Sequence, residues 1–352
     1  MLTGCAALAH VDAYSPALEP VWSTVADGYA RGMCLHADAV WILDGRGTSA
    51  YQQTTGKRIS RIDFPIPGGM WVGGFVPTID GFVVALEHDH QHPIAAPLLM
   101  RVNDAGDVQW MCTLPAGDIT YSSLEFVGGR LRPLRAPIRT WRLGLFSSAL
   151  MTISGDAVLV VYSDNAIDMG YVVSLKTGEF RYHTQSAGHI MDVAALGGGE
   201  FLVGCWRSGV LPGEEKSSET HHYDRAGKIA NRWPTCGAYV VGDDVRVIES
   251  ANGDRPAHIA RLQGGAGITR GDWLEGRSMS RPFICLDGLV CFVRYGLLHK
   301  VRELTVVDCL TLADAHDEQY MYQLDASSDS VYISWIRYTA NVLEFELVRI
   351  EV

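Results

Sequence analysis

Residues Asp156–Ser163 read DAVLVVYS. An acid opens the stretch, apolar and β-branched residues fill it, and an aromatic and a polar residue close it. A short run of this composition, bounded by turn residues, reads as a β-strand. Six further segments have the same shape: DAVWILDG (38–45), GFVVALEH (81–88), EFLVGCWR (200–207), DDVRVIES (243–250), GLVCFVRY (288–295) and DSVYISWI (329–336). Few stretches carry the i, i+3, i+4, i+7 spacing of an amphipathic helix.

The seven segments start tens of residues apart, a spacing typical of β-propeller blades. A second element follows several of them, as in SAYQQTTGKRIS (49–60), LMRVNDAGDVQW (99–110), VVSLKTGEFRY (172–182) and HHYDRAGKIANRW (221–233). In each, a strand enters a tight Thr-Gly or Ala-Gly turn and leaves in another strand bearing an aromatic or apolar residue. Glycine supplies the positive φ that such turns often require. Trp110 and Trp233 fall shortly after their glycines, where they are expected to wedge between neighbouring blades.

This pattern resembles the repeat of the quinoprotein-type (PQQ-like) β-propellers. The likeness runs over most of the chain and is clearest around Gly56, Gly106, Gly178 and Gly227. It implies a structural repeat, and says little about chemistry. The adjacent cysteine pair of many quinone-binding members is missing, so the quinone is not expected.

The expectation is therefore an all-β, seven-bladed β-propeller, a single domain over residues 1–352. Each blade has four strands, and the seven segments are the second strand of each. Blade one would start near Trp22. The seventh runs out of chain at Val352, so its outer strand would come from the N-terminal segment, within residues 5–14, closing the ring. An insert at about 116–142 separates blades two and three.

Composition bounds the function. Hydrophobic residues make up 47% and charged ones 20% of 352 residues, enough for a core and against disorder. A formal net charge of −11 argues against a nucleic-acid partner. No apolar run is long enough for a membrane-spanning helix, so no membrane partner is expected. Eight cysteines stand as singletons without a CxxC, which reads as buried thiols in a cytoplasmic protein. Leu2-Thr3-Gly4-Cys5 matches a lipobox, and an exported lipoprotein whose signal was lost before Cys5 is the alternative.

The ends of the second strands would all open on one face. Three arginine–aromatic pairs stand there: Trp206/Arg207, Arg294/Tyr295 and Arg337/Tyr338. Such residues are over-represented at binding hot spots. The insert adds Arg130, Arg132, Arg135, Arg139 and Arg142 with no acid after Glu125. Guanidinium groups receive carboxylates and phosphates bidentately, which singles out Arg135 and Arg139. The loop EHDHQHP (87–93) puts His88, His90 and His92 at alternate positions, enough ligands for a divalent metal with an open site. Blade four carries an acidic loop at SGVLPGEEKSSETHHYD (208–224), a candidate flap. No P-loop, dinucleotide glycine motif, GxSxG or HExxH occurs.

Two functions follow. One is a recognition module that binds a peptide or small anionic molecule at the mouth of the central channel, with no certain cofactor. The other is a metal-assisted lyase, hydrolase or isomerase of a biosynthetic pathway working on the same face.

Overall fold

The computed structural model describes residues 21–26, 32–88, 98–115, 120–127, 130–137, 150–163, 168–184, 189–207, 217–235, 239–241, 244–249, 257–264, 267–274, 283–284, 290–294, 297–311, 323–326, 330–339 and 342–351. Their secondary structure is almost entirely antiparallel strand. Sheet 1 holds β2 (Gly32–His36), β3 (Ala39–Leu43), β4 (Gly47–Gln52) and β5 (Arg58–Asp63). Sheet 2 holds β6 (Met70–Thr78), β7 (Gly81–His88), β8 (Leu98–Asn103) and β9 (Val108–Thr113). A two-stranded ribbon follows, β10 (Thr120–Val127) with β11 (Arg130–Pro137).

Sheet 3 holds β12 (Leu150–Ser154), β13 (Ala157–Ser163), β14 (Asp168–Ser174) and β15 (Phe180–His183). Sheet 4 holds β16 (His189–Gly197), β17 (Glu200–Arg207), β18 (Ser217–Tyr223) and β19 (Ile229–Trp233). Sheet 5 holds β20 (Tyr239–Val241), β21 (Asp244–Glu249), β22 (Ala257–Gln263) and β23 (Gly267–Leu274). Sheet 6 holds β24 (Phe283–Ile284), β25 (Val290–Arg294), β26 (Leu297–Arg302) and β27 (Thr305–Thr311). Sheet 7 holds β28 (Gln323–Ala326), β29 (Ser330–Thr339) and β30 (Val342–Glu351), and β1 (Trp22–Ala26) completes it against β30.

Every apolar segment picked out by sequence is the second strand of its sheet. Of these, β3, β7, β13 and β17 lie between two neighbouring sheets, with both faces buried. In β3, Ala39, Trp41 and Leu43 pack with Phe82 and Val84 of sheet 2. Val40 and Ile42 turn the other way, against Tyr332 and Leu347 of sheet 7. A strand covered on both faces reads as a continuous apolar run rather than an alternating one. The core is therefore a series of layers between sheets. Each fully buried Val, Leu or Phe in them contributes about 1.5–3 kcal/mol.

First strands touch in succession from β28 through β2, β6, β12 and β16 to β20, and β24 touches β28. Sheets 5 and 6 meet through β23 and β27.

Outer strands carry a second device. Trp110 in β9 lies over Gly178 of the β14–β15 turn and donates from Nε1 to the Leu175 carbonyl at 2.9 Å. Gly178 has φ +73°, and a Cβ there would sit 2.7 Å from Trp110 Cε3, so only glycine fits. Trp22 repeats this against Gly56 and Gln53, and Tyr182 against Gly227 and Asp224. Trp233 donates to the Gln263 carbonyl at 2.7 Å. The expected wedging of Trp110 and Trp233 is thus a hydrogen-bonded lid on the next sheet.

Three expectations change. The strand paired with β30 is Trp22–Ala26, not one within 5–14, which lies outside the described residues. WSTVA is short and half polar, and its identity as an outer strand depends on a partner at the far end of the sequence. Sheet 1 accordingly begins at Gly32 rather than near Trp22. In the segment taken as a flap, Ser217–Tyr223 is strand β18, and residues 208–216 lie outside the described set. Its polar groups are partly buried and engaged: His221 faces Glu219, His222 faces Glu200, and Thr220 donates to the Thr235 carbonyl.

Candidate functional site

Register shows which candidates share an end. In sheet 2, Met70 pairs with His88, Leu86 with Leu98, and Leu98 with Thr113. The start of the first strand, the end of the second, the start of the third and the end of the fourth therefore lie together. The same order holds where His189 pairs with Trp206 and Arg207 with Ser217, and where Ser163 pairs with Asp168. Hydrogen bonds between sheets align these ends. Val72 N donates to Gly45 O from sheet 2 to sheet 1, the Tyr162 hydroxyl to Leu98 O from sheet 3 to sheet 2, and Ile190 N to Asp168 Oδ2 from sheet 4 to sheet 3.

At this end of their sheets stand His88, last in β7, Trp206 and Arg207, last in β17, and Arg294, last in β25. Arg337 and Tyr338 are near the end of β29, beside the turn into β30. The ribbon β10–β11 lies between the end of β9 and the start of β12, so the chain leaves for it and returns from it at the same end. Within it, Arg135 is opposite Ser122, and Arg132 opposite Glu125. Arg139, Tyr295, His90 and His92 lie outside the described residues, which hold no group of three metal-ligating side chains.

Described side chains give several loop-end groups their partners: Asp44, Asp168 and His221, which the sequence places at or beside this face, and His189 and Tyr162, which it does not single out. Asp168 begins β14 and is buried, 5% exposed. Its Oδ2 accepts from Ile190 N at 2.7 Å. Its Oδ1 is buried without a hydrogen-bond partner and lies 3.7 Å from His189 Nδ1. His189 is the first residue of β16, and its side chain is 33% exposed. His189 escaped the sequence reading because the carboxylate beside it comes from the preceding sheet.

Tyr162 is a buried phenol; burial first, then the charge of Glu87, pushes its pKa well up, so it stays a neutral donor to Leu98 O at 3.2 Å. His221 points Nε2 at Glu219 Oε2, 2.7 Å away, and its Nδ1 is buried without a hydrogen-bond partner. Asp44 caps the turn after β3, accepting from the amides of Arg46 and Gly47 at 2.7 and 2.8 Å. Burial alone would raise its pKa. The Arg61 guanidinium at 2.5 Å and the two amides outweigh that and hold it below the usual carboxylate range.

The opposite end is built from turn acids already engaged: Asp80 with Arg101 at 2.7 Å, Asp156 with Arg181 at 2.5 Å, and His36 with Asp104 at 2.9 Å. These contacts lock turns and neighbouring sheets together.

No family model matches the chain, and no curated protein is detectably similar in sequence. Solved structures are similar in fold. The WD40 domain of Neurospora crassa Pan2 matches with a TM-score of 0.59 at 9% identity, over 95% of each chain. The Dos1 propeller matches with a TM-score of 0.53 at 9% identity, over 92% of this chain and 78% of the other. BamB from Moraxella catarrhalis matches with a TM-score of 0.50 at 12% identity, over 94% of this chain and 97% of the other. The fold is a β-propeller. At such identities the likeness is one of architecture, and a propeller is often a scaffold for binding ligands or proteins.

Proposed function

We propose that the chain is a seven-bladed propeller, its seventh blade completed by β1, that works as a recognition module for a peptide or small anionic molecule. The ligand would sit at the face where the second strands end. The observation that supports this reading is the common exit point: the ends of β17, β25 and β29 share one end of their sheets, the end where β9 finishes and β12 starts on either side of the arginine-bearing ribbon β10–β11. Arg135, Arg139, Arg207, Arg294 and Arg337 would supply the charge, and Trp206, Tyr295 and Tyr338 the apolar contact. In a chain of net charge −11, arginines concentrated on one face attract anions that the rest of the surface repels.

The test is calorimetric titration of the full chain with inorganic phosphate and with an oligoglutamate peptide. Binding of either, weakened at least tenfold by combined Arg135→Ala and Arg139→Ala, is the expected result. Equal affinity of the wild type and the double variant, or no binding of either probe, would reject the reading.

A further inference from the structure

We infer that Arg46, on the turn between β3 and β4, is a ligand-contacting residue of this face. The inference rests on the anion-binding reading above and extends it to sheet 1, which holds none of the arginines named there.

The turn supplies a fixed mount. Asp44 Oδ1 accepts from the amides of Arg46 and Gly47 at 2.7 and 2.8 Å. Asp44 N donates to Gly47 O at 2.9 Å, which closes the turn on itself. Two segments clamp it from outside. Val72 N of β6 donates to Gly45 O at 3.1 Å, and Phe64 N, just after β5, donates to Arg46 O at 3.0 Å. Both main-chain polar groups of Arg46 are therefore engaged. Its side chain is the opposite case. Arg46 is exposed, and among the described residues its guanidinium has no hydrogen-bond or ion-pair partner. The neighbouring acids are taken: Asp44 Oδ2 and Asp63 Oδ1 both bind Arg61. A guanidinium presents five N–H donors in a planar fork, and a rigid base lowers what must be ordered on binding. Such a fork, left open on a backbone this restrained, suits a carboxylate or phosphate oxygen from outside.

Position supports the same role. β3 ends and β4 starts at the end of the sheets where β17, β25 and β29 finish. Sheet 1 packs on sheet 2, whose last strand, β9, gives way to the arginine-bearing ribbon at this same end. The bond from Val72 to Gly45 also sets the Arg46 turn beside the start of β6, where Trp71 stands half-buried. Sheets 1 and 2 thereby bring an arginine and an aromatic residue to one end, as β17 does with Trp206 and Arg207. The difference is that Arg46 and Trp71 are far apart in sequence and meet only through the fold.

The experiment titrates the full chain with inorganic phosphate and with an oligoglutamate peptide, reading affinity by calorimetry and the Arg46 Nε–Hε signal by 1H–15N correlation. That signal is assigned by its loss in Arg46→Lys. Expected are a movement of the signal that saturates with probe, and a loss of about fivefold in affinity for Arg46→Gln. Arg46→Lys keeps the charge without the fork, and should bind between wild type and Arg46→Gln. Lys228→Gln makes an equal change of charge at an exposed residue of the β18–β19 turn, at the opposite end, and should lose less than about twofold. If a probe binds in a way that depends on Arg135 and Arg139 while the Arg46 signal stays fixed and Arg46→Gln binds as wild type does, this inference fails and the anion-binding reading stands. Equal losses for Arg46→Gln and Lys228→Gln would overturn it too, as an effect of net charge alone. If neither probe binds, both fail. Should Arg46→Gln prove unstable, the wild-type signal decides alone.

Discussion

Gly178 and Gly45 show how one residue type has opposite meanings in this fold. Gly178 has φ +73° under the Trp110 ring, whereas a Cβ at Gly45 would meet nothing within 4 Å. Gly178→Ala should therefore cost at least about 1–2 kcal/mol from the left-handed backbone alone, with the ring clash added. Gly45→Ala should leave the urea midpoint unchanged within about 0.5 kcal/mol. Equal midpoints for the two variants would mean that Trp110 does not lie over the turn. Asp44 sets a second test. Its folded pKa lies below its unfolded value of about 3.9, so its contribution is fully present above that pH. The contribution is lost as pH falls through the lowered folded value. Asp44→Asn should flatten the acid limb of stability against pH, measured by urea unfolding between pH 2 and 6. At this scale the sequence was informative about glycines next to Thr or Ala, because a tight turn demands them locally. It offered Asp168 as a loop-end acid but was silent on His189, whose nearness to Asp168 exists only once sheets 3 and 4 meet.

Strands differed in how far they could be read. The second strands were legible as short apolar runs, most clearly β3, β7, β13 and β17, where neighbours on both sides demand apolar residues on both faces. Fourth strands, largely exposed as in β5, β9 and β15, carry weaker signals. The first part of β18, SSET, passed for a loop, although HHY was read as a strand. Its residues Thr220, His221 and Tyr223 are nonetheless buried, with Thr220 Oγ1 donating to Thr235 O at 2.7 Å. Outer strands hold the neighbouring sheet through single aromatic residues, and this makes a prediction. Trp110→Ala removes the lid on Gly178 and the hydrogen bond to Leu175, and should cost about 3–5 kcal/mol. Trp110→Phe keeps most of the lid and loses the bond, and should cost about 1 kcal/mol plus the smaller ring. Denaturant titration would separate the two, and a loss for Ala no larger than for Phe would show that the lid contributes little.

For the molecule as a whole, the succession of first-strand contacts and the pairing of β1 with β30 join the two ends of the chain. Deleting residues 1–26 should expose the β30 edge, lower the thermal midpoint and promote association, because an unpaired edge is a template for another strand. Light scattering alongside a melt would detect it; a monomeric variant with an unchanged midpoint would show that β1 is dispensable. The repeat period made the architecture legible. The strand paired with β30 was misplaced because nothing near Trp22 announces a partner more than three hundred residues later. That pairing also fixes a timetable. At the ribosome's pace of about 5–20 residues per second, Trp22–Ala26 leaves the tunnel tens of seconds before Val342–Glu351 is made. Through that interval the newborn protein lacks the strand that β1 pairs with, so its last sheet can be finished only once Val342–Glu351 has been made.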